Sequence, residues 1–307
     1  MKRIKFLMNT TVALGILLLG CSFAQAAGAD RTWVSGVGND MNPCSRTAPC
    51  QTLAAAYGNT NVGGQINVID AGGFGSLTIT HSITIDGSES FASTLATKDT
   101  VGFIINAGPS DVVVLRNLNI QGGGQDGIRF LAGGKLYVED CRIFGFLNRG
   151  IDFEPSGESE LFVKDTTIRD NAGVGLRINP AAGGKATATI DNCKLTGNEY
   201  GLSVVDEANV TIRDSVASSN SINGIMAQAV AGVPQVNIEN CLVTDNTNNG
   251  IRVTGSKATA RLSGSTVTAN DNGLSVGGGG TIDSYGDNNV DGNFSSNGVP
   301  NNTIPQV

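Results

Sequence analysis

The sequence holds one histidine and one tryptophan in 307 residues, and aromatic residues make up only 5% of it. A single imidazole, His81, excludes any mechanism or metal motif that needs two. Charged residues amount to 15%, too few for a helical bundle, whose surface draws on Glu, Lys and Arg. The formal charge of −7 supplies no basic footprint for nucleic acid. Hydrophobic residues reach 40%, which separates the chain from disordered sequences of low hydrophobicity and high net charge. What is abundant is small and turn-forming, with 42 Gly and 30 Asn. Many short strands joined by tight turns fit that balance.

Long apolar runs are also lacking. The stretch Val12 to Leu19 is too short to span a bilayer and follows Lys2, Arg3 and Lys5, so residues 1–26 read as an export signal. Ala24-Gln25-Ala26 has the small-x-small form of ordinary cleavage, and it is favoured over a lipoprotein-type site at Cys21, where Leu19 is unusually bulky. The mature chain has no membrane span and becomes more acidic once the basic start is removed. It is expected in the periplasm, at the cell surface or outside the cell, where disulfides persist. Cys44 and Cys50, in a Pro-containing loop, are the pair expected to bond.

From residue 102 onward a Gly followed by an apolar residue recurs at intervals of 23 to 26 residues: Gly102, Gly127, Gly150, Gly175, Gly201, Gly224, Gly250 and Gly273. A fixed period of this length marks a solenoid. A second column aligns Leu118, Cys141, Thr166, Cys193, Ser215, Cys241 and Ser265, with aliphatic residues three and five positions before it and two after. Alternation of this kind puts one face inward and one outward. Each repeat therefore holds three short strands, with a bend before the aligned column. Five residues after it stand Asn171, Asn198, Asn220, Asn246, Asn270 and Asn293. Asn tolerates left-handed backbone, and its amide can bond its equivalent one coil away. Leucine-rich repeats share the period but are Leu-dominated with one strand per repeat, whereas Val, Ile and Thr fill three strand positions here. The expected fold is all-β: a right-handed parallel β-helix of about nine coils, its hand set by the chirality of parallel crossovers.

The start of the mature chain, Trp33 to Cys44 followed by Pro49 to Ala56, resembles the N-terminal motif of pectin-lyase-like β-helix proteins. It is most similar to exported bacterial β-helix repeat proteins without an assigned activity. The resemblance implies a short helix over Gln51 to Tyr57 that plugs the N-terminal end, and it carries fold but no catalytic residue. The expected organisation is a cap at 27–61, the β-helix at 62–294 and a polar tail at 295–307. The tail reads as a loosely capped end whose exposed strand allows end-to-end self-association.

The columns account for most charges. Two positions before the aligned column, Arg116, Glu139, Lys164, Asp191, Arg213 and Glu239 alternate in sign, as an ion-pair ladder setting coil register would. Just before it come Asn117, Asp140, Asp165, Asn192, Asp214 and Asn240. Asp140 and Asp165 offer too few oxygens for a Ca²⁺, and no metal or cofactor is expected. Cys141, Cys193 and Cys241 lie two coils apart, too far to bridge, and read as buried small residues. His81 reads as a strand residue at the register slip between Ile79 and Ile83.

One outward column, on the first strand, carries Arg129, Asp152, Arg177 and, further on, Arg252. Guanidinium groups hold uronate carboxylates in a bidentate manner, so these four are the candidate ligand-binding residues for an anionic sugar. No catalytic residue is assigned. The reading is an exported, non-catalytic module that binds a polysaccharide or cell-surface component. The alternative is a lyase or hydrolase acting on uronic-acid-containing polymers. Short, even connections between the first and second strands weigh against the enzyme, which would need a cleft built from longer insertions.

Overall fold

The computed structural model describes residues 28–90 and 92–305; the export signal and Cys21 lie outside them. Successive coils stack in parallel register into three sheets, of nine, twelve and ten strands for the first, second and third strand of each coil. One coil shows the pattern. Asp126–Ala132 lies in the first sheet, Lys135–Glu139 in the second and Arg142–Phe144 in the third. Ile128, Leu136, Val138 and Ile143 point inward and are fully buried. Stacking puts like on like, so Leu136 pairs with Val113 above and Leu161 below. Period-2 alternation explains why strands of three to seven residues suffice, since each buries its inner positions against the other two sheets.

The bends explain where Asn and Asp are needed. Asn117, Asp140, Asp165, Asn192, Asp214 and Asn240 all have φ between 50 and 53°, and Gly264 takes the same place in a later coil with φ 54°. A single left-handed residue turns the chain sharply from the second sheet into the third, and short polar side chains tolerate that conformation better than others. A second left-handed position follows each third strand at Asp170, Gly197, Ser219, Asp245, Ala269 and Gly292. This corrects the expectation for the stacked asparagines, since the left-handed residue is the one before each of them. Ala269, with φ 54°, gains nothing from a polar side chain, and its conformation costs about 1–2 kcal/mol. The adjacent stack holds it in place.

That stack is formed and buried. Asn171 donates to Asn198 (2.9 Å), Asn198 to Asn220 (3.4 Å), Asn220 to Asn246 (2.9 Å), Asn246 to Asn270 (2.8 Å) and Asn270 to Asn293 (3.0 Å). Asn293 in turn donates to Asn297, at 3.0 Å, and each stacked Oδ1 also accepts a backbone N–H from the preceding coil. At the other end the Phe146 N–H bonds Asn171 Oδ1, so the stack begins where a buried Phe fills its column.

The ends are closed differently. Ala29–Val34 pairs in parallel with Thr60–Val68 and opens the twelve-stranded sheet. Between them the Cys44–Cys50 disulfide is present, with Cα atoms 4.6 Å apart. The helix Leu53–Gly58 follows, N-capped by Thr52, whose hydroxyl accepts from the Ala55 N–H. Leu53 and Ala56 bury against the first coil. His81 is outside the strands, in the connection between Leu77–Ile79 and Ile83–Asp86, and its ring stacks on Tyr57 with centroids 4.4 Å apart. The C-terminal tail folds back rather than fraying. The Ser296 and Asn297 carbonyls accept from Gly273 and Leu274, and Asn302–Thr303 pairs with Thr281–Ser284. Over those residues it covers edges that end-to-end pairing would use.

Cys141, Cys193 and Cys241 are buried and unbonded. Burial pushes the Cys141 and Cys193 thiols up to about 12 and that of Cys241 up to about 11. The hydroxyls alternating with them have a role: Thr166, Ser215 and Ser265 accept the N–H of the Cys one coil before.

Three aspartates hold connections by accepting several donors each. Asp206 Oδ1 accepts the Val230, Ala231 and Gly232 N–H groups at 2.7 to 2.9 Å. Asp40 accepts from Gln51 and Thr52, and Asp111 from Ser82 and Gly108. For Asp206 and Asp40 burial opposes ionisation, but the hydrogen bonds outweigh it. For Asp111 the Ser82 hydroxyl is the main cause, and all three carboxyls titrate below their ordinary value. A depressed folded-state pKa stabilises the fold above the unfolded value of about 3.9 and is lost as pH falls through the folded value. Urea midpoints are therefore expected to hold level from pH 7 to 5 and to fall below about pH 4, less steeply in Asp206→Asn. A level midpoint down to pH 2 would show that these clamps contribute nothing.

Candidate functional site

The candidate residues stand on the outer face of the nine-stranded first sheet. Arg129, Asp152 and Arg177 are in direct register on three successive strands, as their shared column requires. Their neighbours along the strands join them: Asp126 is in register with Arg149 three positions before, and Glu154 lies two positions beyond Asp152. The result is a closed network. Arg177 grips Asp152 with Nε on Oδ1 (2.7 Å) and Nη2 on Oδ2 (3.1 Å), and its Nη2 also reaches Glu154 at 3.1 Å. Arg129 binds Glu154 Oε1 through Nε (2.8 Å) and Nη2 (2.6 Å). Arg149 Nη1 lies 3.0 Å from Asp152 and 3.8 Å from Asp126.

Asp152 is an outward residue yet wholly buried, because the guanidinium groups cover it. Asp126 is 2% exposed. Burial, and then the negative charge of Asp152, push the Asp126 carboxyl above the usual carboxylate range. Three cations and three anions thus satisfy one another. A uronate would have to displace the half-buried Glu154 to reach Arg129, or the buried Asp152 to reach Arg177, and breaking the latter pair is costly.

Arg252 stands apart. Met226 and Ser203 separate it from Arg177 along the column, placing it three strands on, about 14 Å away at the ordinary strand spacing. Its Nη1 donates to Ser275 at 3.1 Å, and among the described residues it has no carboxylate partner. Tyr200 lies on the strand two before that of Arg252, and burial, then Glu199, push its phenol up against an opposing pull from Arg252. Met226 is in register beside Arg252 on the adjacent strand, so a thioether and a guanidinium with free donors stand together on this half-buried column, a combination suited to an anionic sugar.

Elsewhere the charged columns are structural. The second-sheet column starts one coil earlier than its sequence pattern suggests, at Asp86, which is 3.7 Å from Arg116. Arg116 reaches Glu139 at 2.8 Å and Arg213 reaches Asp191 at 3.0 Å, while Lys164 lies 3.9 Å from its neighbour Asp165. Asp165 also accepts from Asn192 at 2.6 Å. Among the described residues no third acidic, His or Cys side chain joins Asp140 and Asp165 in a metal-binding group.

Sequence columns alone missed Asp126, Arg149 and Glu154. The signal was present three positions before Arg129 and Asp152 and two after Asp152, where opposite charges fall in register or on the diagonal. What no column discloses is that the side chains close over Asp152 rather than reach outward.

The family model "Right handed beta helix region" matches residues 66–215 and 182–295. No curated protein matches. Among solved structures the chain is similar to a pectate lyase, Pel9A, with a TM-score of 0.63 and 16% identity over 84% of this chain and 75% of that one. It is also similar to a rhamnogalacturonan lyase, with a TM-score of 0.53 and 14% identity over 79% of this chain and 76% of that one. At these identities the likeness is one of fold.

Proposed function

The chain belongs to the right-handed β-helix family, and we propose that within it this protein is an exported, non-catalytic module that holds an acidic polysaccharide on the outer face of its first sheet. The observation that carries the reading is Arg252, a guanidinium without a carboxylate partner among the described residues, set beside Met226 on the adjacent strand. Arg129, Asp152 and Arg177 are its scaffold: they fix the strands and leave Arg252 as the contact.

Two observations support binding over cleavage. Connections from the first to the second sheet are two to six residues long from Ala132 onward, so the face lies open and excludes no water. The guanidinium groups of Arg129 and Arg177 are tied to carboxylates and are poorly placed to take a proton from a sugar. The similar folds named pectate and rhamnogalacturonan lyase support a polysaccharide as the class of ligand. Export is supported by the disulfide and the basic-apolar start of the sequence.

Affinity electrophoresis through gels containing polygalacturonate tests the reading. The protein is expected to be retarded, and Arg252→Ala to lose most of that retardation with an unchanged melting curve. Equal mobility of the two proteins in that gel sinks the assignment of Arg252.

A further inference from the structure

A groove of about 650 Å³ runs along the bend between the second and third sheets, on a different face from Arg252. It exists because one connection is longer than those that follow. Ile83–Asp86 and Ala92–Ala96 are separated by residues 87–91, whereas Val112–Arg116 and Leu118–Gly122 are separated by Asn117 alone. Ser88, Glu89 and Ser90 therefore stand up as a wall at one end, and the floor continues over three coils through Asn119, Asp140, Arg142 and Thr167. Asn119, Arg142 and Thr167 are in direct register.

The polar groups of this floor are unused. Asp165 is taken by Asn192 and Lys164, and Glu89 lies 3.6 Å from Arg46. The side chains of Asn119, Asp140, Arg142 and Thr167 have no hydrogen-bond or ion-pair partner among the described residues, and Asp140 and Arg142 do not pair with each other although two positions apart. This is unlike the same columns elsewhere, where Asn192 bonds Asp165 and Asn240 bonds Asp214.

The donor set is mixed: a carboxylate that only accepts, a guanidinium that only donates, and an amide and a hydroxyl that do both. A sugar hydroxyl donates and accepts at once, so vicinal hydroxyls satisfy such neighbours, whereas an anion leaves Asp140 facing like charge. Asp165 and Glu89 already pair with Lys164 and Arg46, so the free charges of the groove are Asp140 and Arg142, which cancel and favour a neutral chain over a uronate. The coil rise of about 4.8 Å is close to the length of one hexopyranose unit, so successive sugars along the axis meet successive coils. We propose that this groove binds a neutral polysaccharide chain, lying along the solenoid axis across Asn119, Asp140, Arg142 and Thr167. The inference rests on the reading of the protein as a glycan-binding module and adds a second site of different charge.

Calorimetric titration with neutral hexasaccharides of β-1,4-linked glucose, mannose and xylose tests it, using Asp140→Gly/Arg142→Thr. Both substitutions have precedents in their own columns, Gly264 with φ 54° and Thr167, so the variant is expected to fold. At least one neutral hexasaccharide is expected to bind, at least tenfold more weakly to the double variant and equally well to Arg252→Ala. No binding by any of the three, or binding unchanged in the double variant, overturns the proposal. Polygalacturonate retention lost in Arg252→Ala without neutral binding removes the groove and keeps the first-sheet reading. Neutral binding lost in the double variant without polygalacturonate retention does the reverse.

Discussion

Asn220→Leu is expected to destabilise the protein by about 3 kcal/mol, since buried polar groups left without partners cost about 1–3 kcal/mol each. Asn220 is wholly buried at the middle of the stack. Its Oδ1 accepts the Asn198 N–H at 3.0 Å, and its Nδ2 donates to the Leu195 carbonyl at 3.1 Å and to Asn246 Oδ1 at 2.9 Å. Leucine keeps the count of side-chain heavy atoms, although bulkier, but strands the Asn198 N–H and the Leu195 carbonyl inside the solenoid. Each coil contacts chiefly its neighbours, so the loss falls on the two interfaces that Asn220 joins and is not shared across the rod. The same change at Asn293, which is partly exposed at the end of the stack, is expected to cost about 1 kcal/mol, because water can replace part of what is lost. Urea unfolding followed by circular dichroism measures both. Equal costs at the two positions would mean that the stack is an ornament of the turn rather than a support of the coil.

Asp152→Ala is expected to cost about 3 kcal/mol, near the lower end of the range for breaking a buried ion pair by removing one partner. Three contacts disappear at once, two from Arg177 and one from Arg149. The lower end applies because the two arginines are 20% and 29% exposed and recover some hydration. Replacing Asp152 by Leu together with Arg177→Met is expected to regain most of the loss, since an apolar pair of similar volume is often as stable as the ion pair it replaces. Polygalacturonate retention should survive Asp152→Ala, because Arg252 is three strands away. Retention lost with stability intact would make Asp152 part of the contact surface instead of its support.

These two residues also mark how far the fold and the site were legible in the sequence. The stack at Asn171 to Asn293 was readable because a solenoid repeats one local solution at one offset, and Asn is a poor choice for a buried position unless its amide has a partner. Ala269 shows the limit. Nothing in an alanine announces a left-handed backbone, and that conformation is imposed by the stacked Asn270 beside it. The outward column at Arg129, Asp152 and Arg177 was equally visible as spacing. Its meaning was not, because a column gives register and says nothing about which way a long guanidinium side chain folds. The tail was misleading for a similar reason. Its polar composition suggested fraying, whereas Asn297 and Asn301 spend their side-chain amides on the last coil.

As proposed above, this solenoid holds an acidic polysaccharide without cleaving it. The most direct test is to incubate the protein with polygalacturonate and alginate while following retention of the polymer and ultraviolet absorbance from unsaturated uronides. Retention that depends on Arg252 is expected, with absorbance that stays at the level of the polymer alone. A rise in absorbance with turnover, abolished by a single substitution on the first-sheet face, would contradict it.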